Sequence, residues 1–234
     1  MIFMGIFTAM TNGIIYSGRD KVDKNLTAIL IRAYDYKDND KRAELFSAED
    51  GIVTVTMRGV KKANAKLKFA CQPFSFCIYE LSKRDKNYVV TGATTVEDMF
   101  ALTKDTDVYL CACAVMETVK DVGSSINSDE LFVIVLKTLK AMLYGEKASP
   151  YLILAKYIQK VLSMSGFIRT RVQNNPDLST MEGMLSYIAT KYLDEVANIS
   201  IDNTLAIDCA LEELIRFEKV YETTLNAIKL IKQM

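Results

Sequence analysis

Histidine is absent from this 234-residue chain, and cysteine occurs only five times. Without imidazole there can be no Ser-His-Asp or Cys-His nucleophile site and no histidine-based catalytic zinc site. The cysteines include no CxxC pair, which excludes a zinc ribbon and a thioredoxin-type motif. Their odd number indicates free thiols in a reducing compartment, so we expect a cytoplasmic protein.

Net charge is also absent, because 29 Lys and Arg balance 29 Asp and Glu. This balance argues against a protein that coats nucleic acid by bulk charge. The charge is unevenly distributed, however. Residues 1–99 hold 15 basic and 12 acidic side chains, whereas residues 100–234 hold 14 basic and 17 acidic ones. The neutral total therefore hides a basic first part and an acidic second part.

Long apolar runs are missing as well. Residues 1–18 carry no charge, but Gly5, Asn12 and Gly13 interrupt them, and they are too short to span a bilayer. No basic residues precede them, as they would in a secretory signal. We expect residues 1–25 to be an N-terminal extension, either an extra first strand or a loosely held segment, and we expect no membrane contact.

Short apolar runs with period-two alternation dominate residues 26–100. They predict five strands, at Leu26–Tyr34, Arg42–Ser47, Ile52–Met57, a run after Pro73, and Tyr88–Val96. Asp50-Gly51 is a strong hairpin signal before the third strand. Short turns and one long connection, Gly59–Cys71, are typical of a small closed barrel of the OB type. We expect Phe74 and Phe76 in the core of that barrel.

From about residue 103 the apolar residues recur every three to four positions, which predicts helices. Five segments follow this pattern, at about residues 103–123, 128–145, 149–166, 180–197 and 203–234. The third has one narrow polar stripe, which contains Lys156 and Gln159, so we place it at the centre of a bundle. The predicted fold class is therefore α+β: an OB-fold β-barrel over residues 26–100, followed by an α-helical bundle over residues 101–234.

Motifs for catalysis are missing. The chain has no GxxxxGK[ST] phosphate loop, no GxGxxG and no GxSxG. Cys111 and Cys113 would point about 200° apart on a helix, so they cannot share a metal ion. We expect no enzyme activity, no catalytic residue, no cofactor and no metal site.

The clearest charge feature is a basic run in the long connection after the third strand. No acid lies between Asp50 and Glu80. Five cations fall within eleven residues of this stretch: Arg58, Lys61, Lys62, Lys66 and Lys68. Such a segment can follow a phosphate backbone while nearby aromatic rings, such as Phe69, stack on bases. A solvated loop is the alternative.

Two further cationic groups are weaker candidates. Lys41 and Arg42 can extend the basic track, although the aspartates of the Asp35–Asp40 loop favour a solvated turn. In the helical part, an apolar neighbourhood carries four cations that suit an acidic, hydrophobic peptide tail: Lys156, Lys160, Arg169 and Arg171. The alternative is that these four belong to the solvated stripe of the bundle.

One segment is specific enough to indicate a family. In RGVKKANAKLKFACQPFSFCIYEL (residues 58–81), a strand ends at a Gly step, a basic segment follows, and Gln-Pro-Phe precedes an apolar strand. This pattern resembles the first-domain signature of the RecO recombination-mediator family. AILIR (28–32), Phe46 and Gly51 fall where that family has its first hairpin. LFVIVLKTLKAML (131–143) and residues 151–167, which end in Ser-Gly-Phe, look like its helical domain.

The resemblance implies a role in bacterial DNA repair and homologous recombination. It implies binding of single- and double-stranded DNA, annealing of complementary strands, and assistance to RecA in loading onto DNA coated with single-strand-binding protein (SSB). RecR and the acidic C-terminal tail of SSB are the implied protein partners. The rival hypothesis is a non-enzymatic protein-interaction scaffold with an OB-like barrel that binds no DNA, which the zero net charge and the acidic bundle favour.

Zinc is one property of the family that does not carry over. Many members have a four-cysteine zinc module after the Gly-aromatic step, but residues 168–179 of this chain contain no cysteine.

Overall fold

Strands occupy the first part of the chain and helices the second. A computed structural model describes residues 23–84, 87–122, 126–145, 147–169 and 173–233. The expected N-terminal extension, up to residue 22, therefore lies outside the described residues. The strands are β1 (Lys24–Tyr36), β2 (Asp40–Ser47), β3 (Gly51–Met57), β4 (Phe76–Arg84) and β5 (Asn87–Glu97). A short 3₁₀ helix, Phe69–Cys71, lies between β3 and β4.

The five strands close into a barrel in the order β1-β2-β3-β5-β4, and β4 pairs in turn with β1. Neighbouring strands are antiparallel except β3 and β5, which run parallel with Val55 opposite Tyr88. This closure has the five-stranded arrangement of an OB fold and, with the helices that follow, confirms the predicted α+β class. The Asp50-Gly51 hairpin is also present, and Gly51 has a φ of +64°, which most other residues tolerate poorly.

Strands β1 and β2 contribute to two different cores, because successive side chains on a strand point to opposite faces. Leu30 and its partner Leu45 point into the barrel, where they pack in one cluster with Tyr79. Ile29 and its partner Phe46 point outwards and belong to the core of the helical part. The barrel and the helices are thus joined by a shared apolar core.

Phe74 and Phe76 are buried, but the expectation that they fill the barrel is wrong. Both belong to the cluster of the helical part. The Phe76 ring lies 6.1 Å from that of Phe132, and Phe74 meets Tyr109 edge-on at 5.9 Å. Strand β4 begins only at Phe76, because Phe74 has a left-handed φ of +60°. Since they are 3% and 6% exposed, neither ring is open to a nucleic-acid base.

The described part of the second half contains seven helices instead of the five expected. They are α1 (Thr106–Val122), α2 (Ser128–Tyr144), α3 (Pro150–Met164), α4 (Met181–Ala189), α5 (Leu193–Val196), α6 (Asn203–Tyr221) and α7 (Asn226–Ile231). A 3₁₀ turn, Phe100–Thr103, leads into α1. None of these helices is both long and apolar enough to cross a membrane.

Each of the last two predicted helices is divided in two. The fourth is interrupted between α4 and α5, and the fifth is interrupted after α6, where Glu222 adopts a left-handed φ of +50°. Glu117 of α1 then accepts hydrogen bonds from the backbone N–H groups of Asn226 and Ala227, at 2.9 and 3.1 Å, and so caps α7. A residue more than a hundred positions away supplies this cap, so the local apolar period could not reveal the break.

Helix α3 lies at the centre of the bundle, as its apolar circumference predicts. It packs against α1, α2, α4, α5 and α6. Its polar stripe is less solvated than expected, because Lys156 and Gln159 are both buried. Lys156 Nζ donates to the Ile188 carbonyl at 2.8 Å, and Gln159 Nε2 donates to the Leu185 carbonyl at 3.0 Å. These two side chains therefore bind the C-terminal turn of α4.

A group of three charges joins the barrel to α1 at the edge of the shared core. Glu44 accepts hydrogen bonds from Arg32 Nε at 2.9 Å and from Arg32 Nη2 at 2.6 Å, and Lys120 Nζ of α1 lies 3.5 Å from Glu44. Burial by itself raises the pKa of Glu44, but the Arg32 hydrogen bond and the charge of Lys120 together outweigh it, and the pKa is lowered. Glu44 is therefore ionised at neutral pH.

Replacing this carboxylate should weaken the fold in a pH-dependent way. We expect Glu44→Gln to lower the free energy of unfolding by about 1.5–3 kcal/mol at pH 7, because hydrogen bonds to a charged group are lost. Since the pKa of Glu44 is lower in the folded chain, its contribution is present above about pH 4.5 and fades as the pH falls through the folded value. Denaturant unfolding measured from pH 7 to below pH 4 shows both effects.

The control is Glu49→Gln, which neutralises an exposed glutamate at the β2–β3 turn. Equal stability of Glu44→Gln and the control at pH 7 would contradict the role given to Glu44.

Candidate nucleic-acid interface

The connection between β3 and β4 is anchored on the barrel by its apolar residues. Val60 and Ala70 are buried in the barrel core, and Leu67 packs against it. Tyr79 donates its O–H to the Ala70 carbonyl at 3.0 Å. Between these anchors the backbone advances in successive turns closed by i to i+3 hydrogen bonds. The segment is therefore fixed to the barrel, although it contains no long helix.

The cations of this segment lie beside or between those anchors and are exposed to solvent. Four of them are exposed and have no ion-pair partner among the described residues: Arg58, Lys62, Lys66 and Lys68. Phe69 beside them is also partly exposed. The segment thus presents four uncompensated positive charges to solvent, which is the arrangement that binds phosphates.

Lys61 has a different position from the other four. Its Nζ pairs with Asp35 at 2.7 Å, and its backbone N–H donates to the Asn39 carbonyl at 3.1 Å. The Gly59 N–H donates to Asp40 Oδ1 at 2.8 Å. These bonds tie the basic segment to the turn between β1 and β2. The hydrogen bond from Lys61 also lowers the pKa of Asp35.

The outer face of the β1–β2 hairpin carries exposed aromatic rings next to cations. Tyr34 and Tyr36 lie on the same side of β1 as Arg32, and both rings are partly exposed. The Arg32 guanidinium lies 5.6 Å from the Tyr34 ring centre, and that of Arg42 lies 5.4 Å from the Tyr36 ring centre. Arg42 Nη2 also donates to Asn87 at 2.9 Å, which links this face to β5. We call these side chains the tyrosine face.

Lys41 and Arg42 are adjacent in sequence, but their side chains lie on different surfaces. Arg42 lies opposite Tyr34 in the register, on the tyrosine face. Lys41 lies opposite Asp35, on the other side of the hairpin, where Lys61 also binds. The sequence pattern grouped the two cations in one track, whereas the structure brings Lys41 to the basic segment and Arg42 to the rings.

The sequence analysis did not predict a role for Tyr34 and Tyr36. Their i, i+2 spacing at the end of a strand is the signal that could have identified them.

The predicted partner-binding cations of the helical part line one groove, as far as the structure describes them. Lys160 is exposed, Lys156 is bound to α4, and Arg169 pairs with the fully buried Glu213 at 3.2 Å. Arg171 lies outside the described residues. The groove has a volume of about 1520 Å³ and runs beside α2, α3 and α5.

This groove combines an apolar wall with a cationic rim. Val133, Ile134, Tyr144 and Ile168 supply apolar surface. Among the described lining residues eight are Lys or Arg, and the acid is Asp194 alone. The groove is therefore suited to a ligand that is both acidic and apolar.

Zinc does not fit the segment where the resemblance places a zinc module. Its residues offer no thiol or imidazole, and no group of three or more metal-binding side chains occurs among the described residues. Instead Glu213 forms an ion pair with Arg169 through Oε1, at 3.2 Å, and another with Arg216 through Oε2, at 3.3 Å. This ion cluster holds the start of the segment on α6.

Comparison with known proteins gives a consistent picture. Residues 22–99 match the family model "Recombination protein O N terminal", which is the stretch that forms the barrel. A DNA repair protein RecO from Clostridium perfringens is 26% identical over 212 residues, which are 85% of this chain and 83% of that protein. The barrel thus matches the N-terminal domain of the RecO family, and the similarity to a RecO protein extends through most of the helical part.

Other RecO proteins match over shorter stretches. The one from Desulfitobacterium hafniense is 26% identical over 142 residues, 60% of this chain and 50% of that protein. The one from Clostridium novyi is 30% identical over 80 residues, 34% of this chain and 31% of that protein. These similarities support a role in DNA repair and recombination.

The Lys61–Asp35 pair predicts a simple effect on binding to DNA. Asp35→Asn should free Lys61 for a phosphate, so we expect tighter binding of single-stranded DNA and a dependence of log K on log salt steeper by about 0.7. Stability should change little, because an exposed pair contributes about 1 kcal/mol or less. Anisotropy titrations of a labelled oligonucleotide at several salt concentrations measure the slope. Asp98→Asn, an exposed neutralisation at the end of β5, is the control, and an unchanged slope for Asp35→Asn would refute the effect.

Proposed function

We propose that this protein is a non-enzymatic DNA-binding mediator of repair and recombination. It binds single- and double-stranded DNA, anneals complementary strands and assists RecA in loading onto SSB-coated DNA. RecR and the acidic SSB tail are its protein partners. The cytoplasm is the proposed location, since the five cysteines are free thiols.

The observation that carries the proposal is the unpaired basic segment on the barrel. Elsewhere in the barrel, charged side chains such as Arg32 and Lys24 are paired with carboxylates. Arg58, Lys62, Lys66 and Lys68 are exposed without such partners among the described residues. A polyanion supplies the missing negative charge and releases its own counterions, which favours binding of any DNA sequence.

Annealing follows from the same contacts. Lys and Arg side chains on phosphates position a strand without reading its bases. Two strands held this way repel each other less, because the cations screen their backbones, and their base edges stay free to pair. Such an activity needs no catalytic group.

The groove of the helical part is the proposed site for the SSB tail. Its rim cations Lys137, Lys147 and Lys160 are exposed and are not paired among the described residues. An acidic peptide that ends in apolar residues complements both the rim and the wall. DNA and a protein tail would then occupy separate parts of the molecule, the barrel and the bundle.

Charge reversal on the basic segment tests the DNA-binding proposal. We expect the triple variant Lys62→Glu, Lys66→Glu and Lys68→Glu to reduce affinity for single-stranded DNA at least tenfold and to make the log–log salt slope shallower by about 2. The matched control is Lys104→Glu, Lys219→Glu and Lys229→Glu, which makes the same change in net charge at exposed positions of the helical part. Anisotropy titrations from low to moderate salt give both quantities.

Retention of wild-type affinity by the triple variant would overturn the assignment of the basic segment. No binding by the wild-type protein at micromolar concentration would favour the protein-interaction scaffold instead.

Charge reversal in the groove tests the site for the SSB tail. We expect Lys137→Glu with Lys160→Glu to weaken binding of a synthetic SSB-tail peptide at least tenfold while DNA affinity stays within twofold, because the groove and the barrel are separate. Lys219→Glu with Lys229→Glu is the control for net charge. Isothermal titration calorimetry with the peptide measures the effect, and unchanged peptide affinity would exclude the groove.

A further inference from the structure

The DNA-binding surface of the barrel has two chemically different parts. The basic segment offers charge, through Arg58, Lys62, Lys66 and Lys68. The tyrosine face offers aromatic rings: Tyr34 is 43% exposed and Tyr36 is 37% exposed. The Lys61–Asp35 ion pair attaches the basic segment to the end of β1, next to Tyr34 and Tyr36 in sequence but on the opposite side of the hairpin from their rings. A single strand that follows the basic segment therefore passes the end of β1.

From this juxtaposition we propose that Tyr34 and Tyr36 are the residues that select unpaired DNA, by stacking on bases of a single strand. The proposal rests on the proposed DNA-binding function and assigns specificity within it. The basic segment binds the backbone of either single-stranded or duplex DNA. The tyrosine face adds affinity only for a strand whose bases are free.

The physical argument starts from the exposure of the two rings. Large apolar side chains on the same hairpin that have an apolar partner, such as Ile29 and Phe46, are buried in the shared core. Tyr34 and Tyr36 continue that face of the hairpin beyond the Arg32–Glu44 pair, where both rings remain partly exposed. They repeat every second residue, so they are about 6.8 Å apart along the strand.

The neighbouring cations hold these rings in place. Arg32 contacts the Tyr34 ring while both of its hydrogen bonds to Glu44 fix the guanidinium. Arg42 contacts the Tyr36 ring and is bonded to Asn87. A ring that is already oriented loses little conformational freedom when a base stacks on it. The same guanidinium groups place positive charge where the phosphates of a stacked strand pass.

Duplex DNA cannot use these rings in the same way. Its bases are stacked on one another within the helix, and only their edges are accessible in the grooves. Stacking on a tyrosine requires an unpaired base, and each such contact contributes about 1–3 kcal/mol. The tyrosine face therefore raises affinity for single strands and leaves affinity for duplexes to the basic segment.

The test compares a labelled oligothymidine with a blunt duplex of equal length at one salt concentration. We expect Tyr34→Ala with Tyr36→Ala to lose at least tenfold in affinity for the oligothymidine and less than twofold for the duplex. Tyr34→Phe with Tyr36→Phe should retain single-strand affinity, because phenylalanine also stacks. Tyr192→Ala, which removes an exposed tyrosine of the helical part, is the control and should change neither.

A fluorescence experiment reports on the contact itself in a folded protein. The chain contains no tryptophan, so Tyr36→Trp introduces a single tryptophan, and Tyr192→Trp provides its control. We expect oligothymidine to quench the indole emission of the Tyr36→Trp variant and the equal-length duplex to quench it much less, with no change for the control.

Two results would overturn the inference: equal loss of single-strand and duplex affinity in the alanine variant, or full single-strand affinity without quenching. Failure of the wild-type protein to bind either DNA would instead overturn the proposed function, so the two failures are distinguishable.

Discussion

The two-sided packing of β1 and β2 is the constraint on which the rest of the molecule depends. Their inward residues, such as Leu30 and Leu45, complete the barrel, and their outward residues, such as Ile29 and Phe46, complete the helical core. If the register of either strand slipped by one residue, every side chain would change face, and the strand would no longer complete the barrel core or the helical core. The outward face becomes polar at Arg32–Glu44 and aromatic beyond it, so one hairpin contains the interdomain contact and part of the candidate DNA surface.

The distribution of carboxylates decides which cations are available to a ligand. Glu44, Glu213 and Asp35 engage Arg32, Arg169, Arg216 and Lys61 in internal pairs. Four cations that remain exposed and unpaired in the described barrel cluster on the segment between β3 and β4, away from these acids. A protein with no net charge can thus still present a local positive surface, because its acids are placed where they stabilise the fold.

In the helical part, a buried ion cluster attaches the 168–179 segment, in which many RecO proteins carry a zinc module. Glu213 is fully buried and lies between Arg169 and Arg216, and Gln159 Nε2 donates to it at 3.0 Å. Burying a carboxylate is costly unless several donors satisfy it, and here three side chains do so. The cluster attaches the start of the 168–179 segment to α3 and α6 by ordinary ionic chemistry. The rim of the groove is built on this attachment, since Arg169 and Arg216 also line it.

Local pattern in the sequence was sufficient for the barrel, the central helix α3, the basic segment and the family resemblance. Period-two alternation, the Asp50-Gly51 turn and the run from Arg58 to Lys68 are properties of neighbouring residues, and neighbouring residues determine which side of a strand faces solvent. Only the tertiary structure decided that Phe74 and Phe76 pack on helices, that α7 starts at a cap supplied by Glu117, and that Lys156 is buried. The tertiary structure also placed the side chains of Lys41 and Arg42 on opposite sides of the hairpin and left the rings of Tyr34 and Tyr36 partly exposed. These outcomes depend on which distant element packs against each face, and pairing between elements far apart in the chain leaves no periodic signal in the segments themselves.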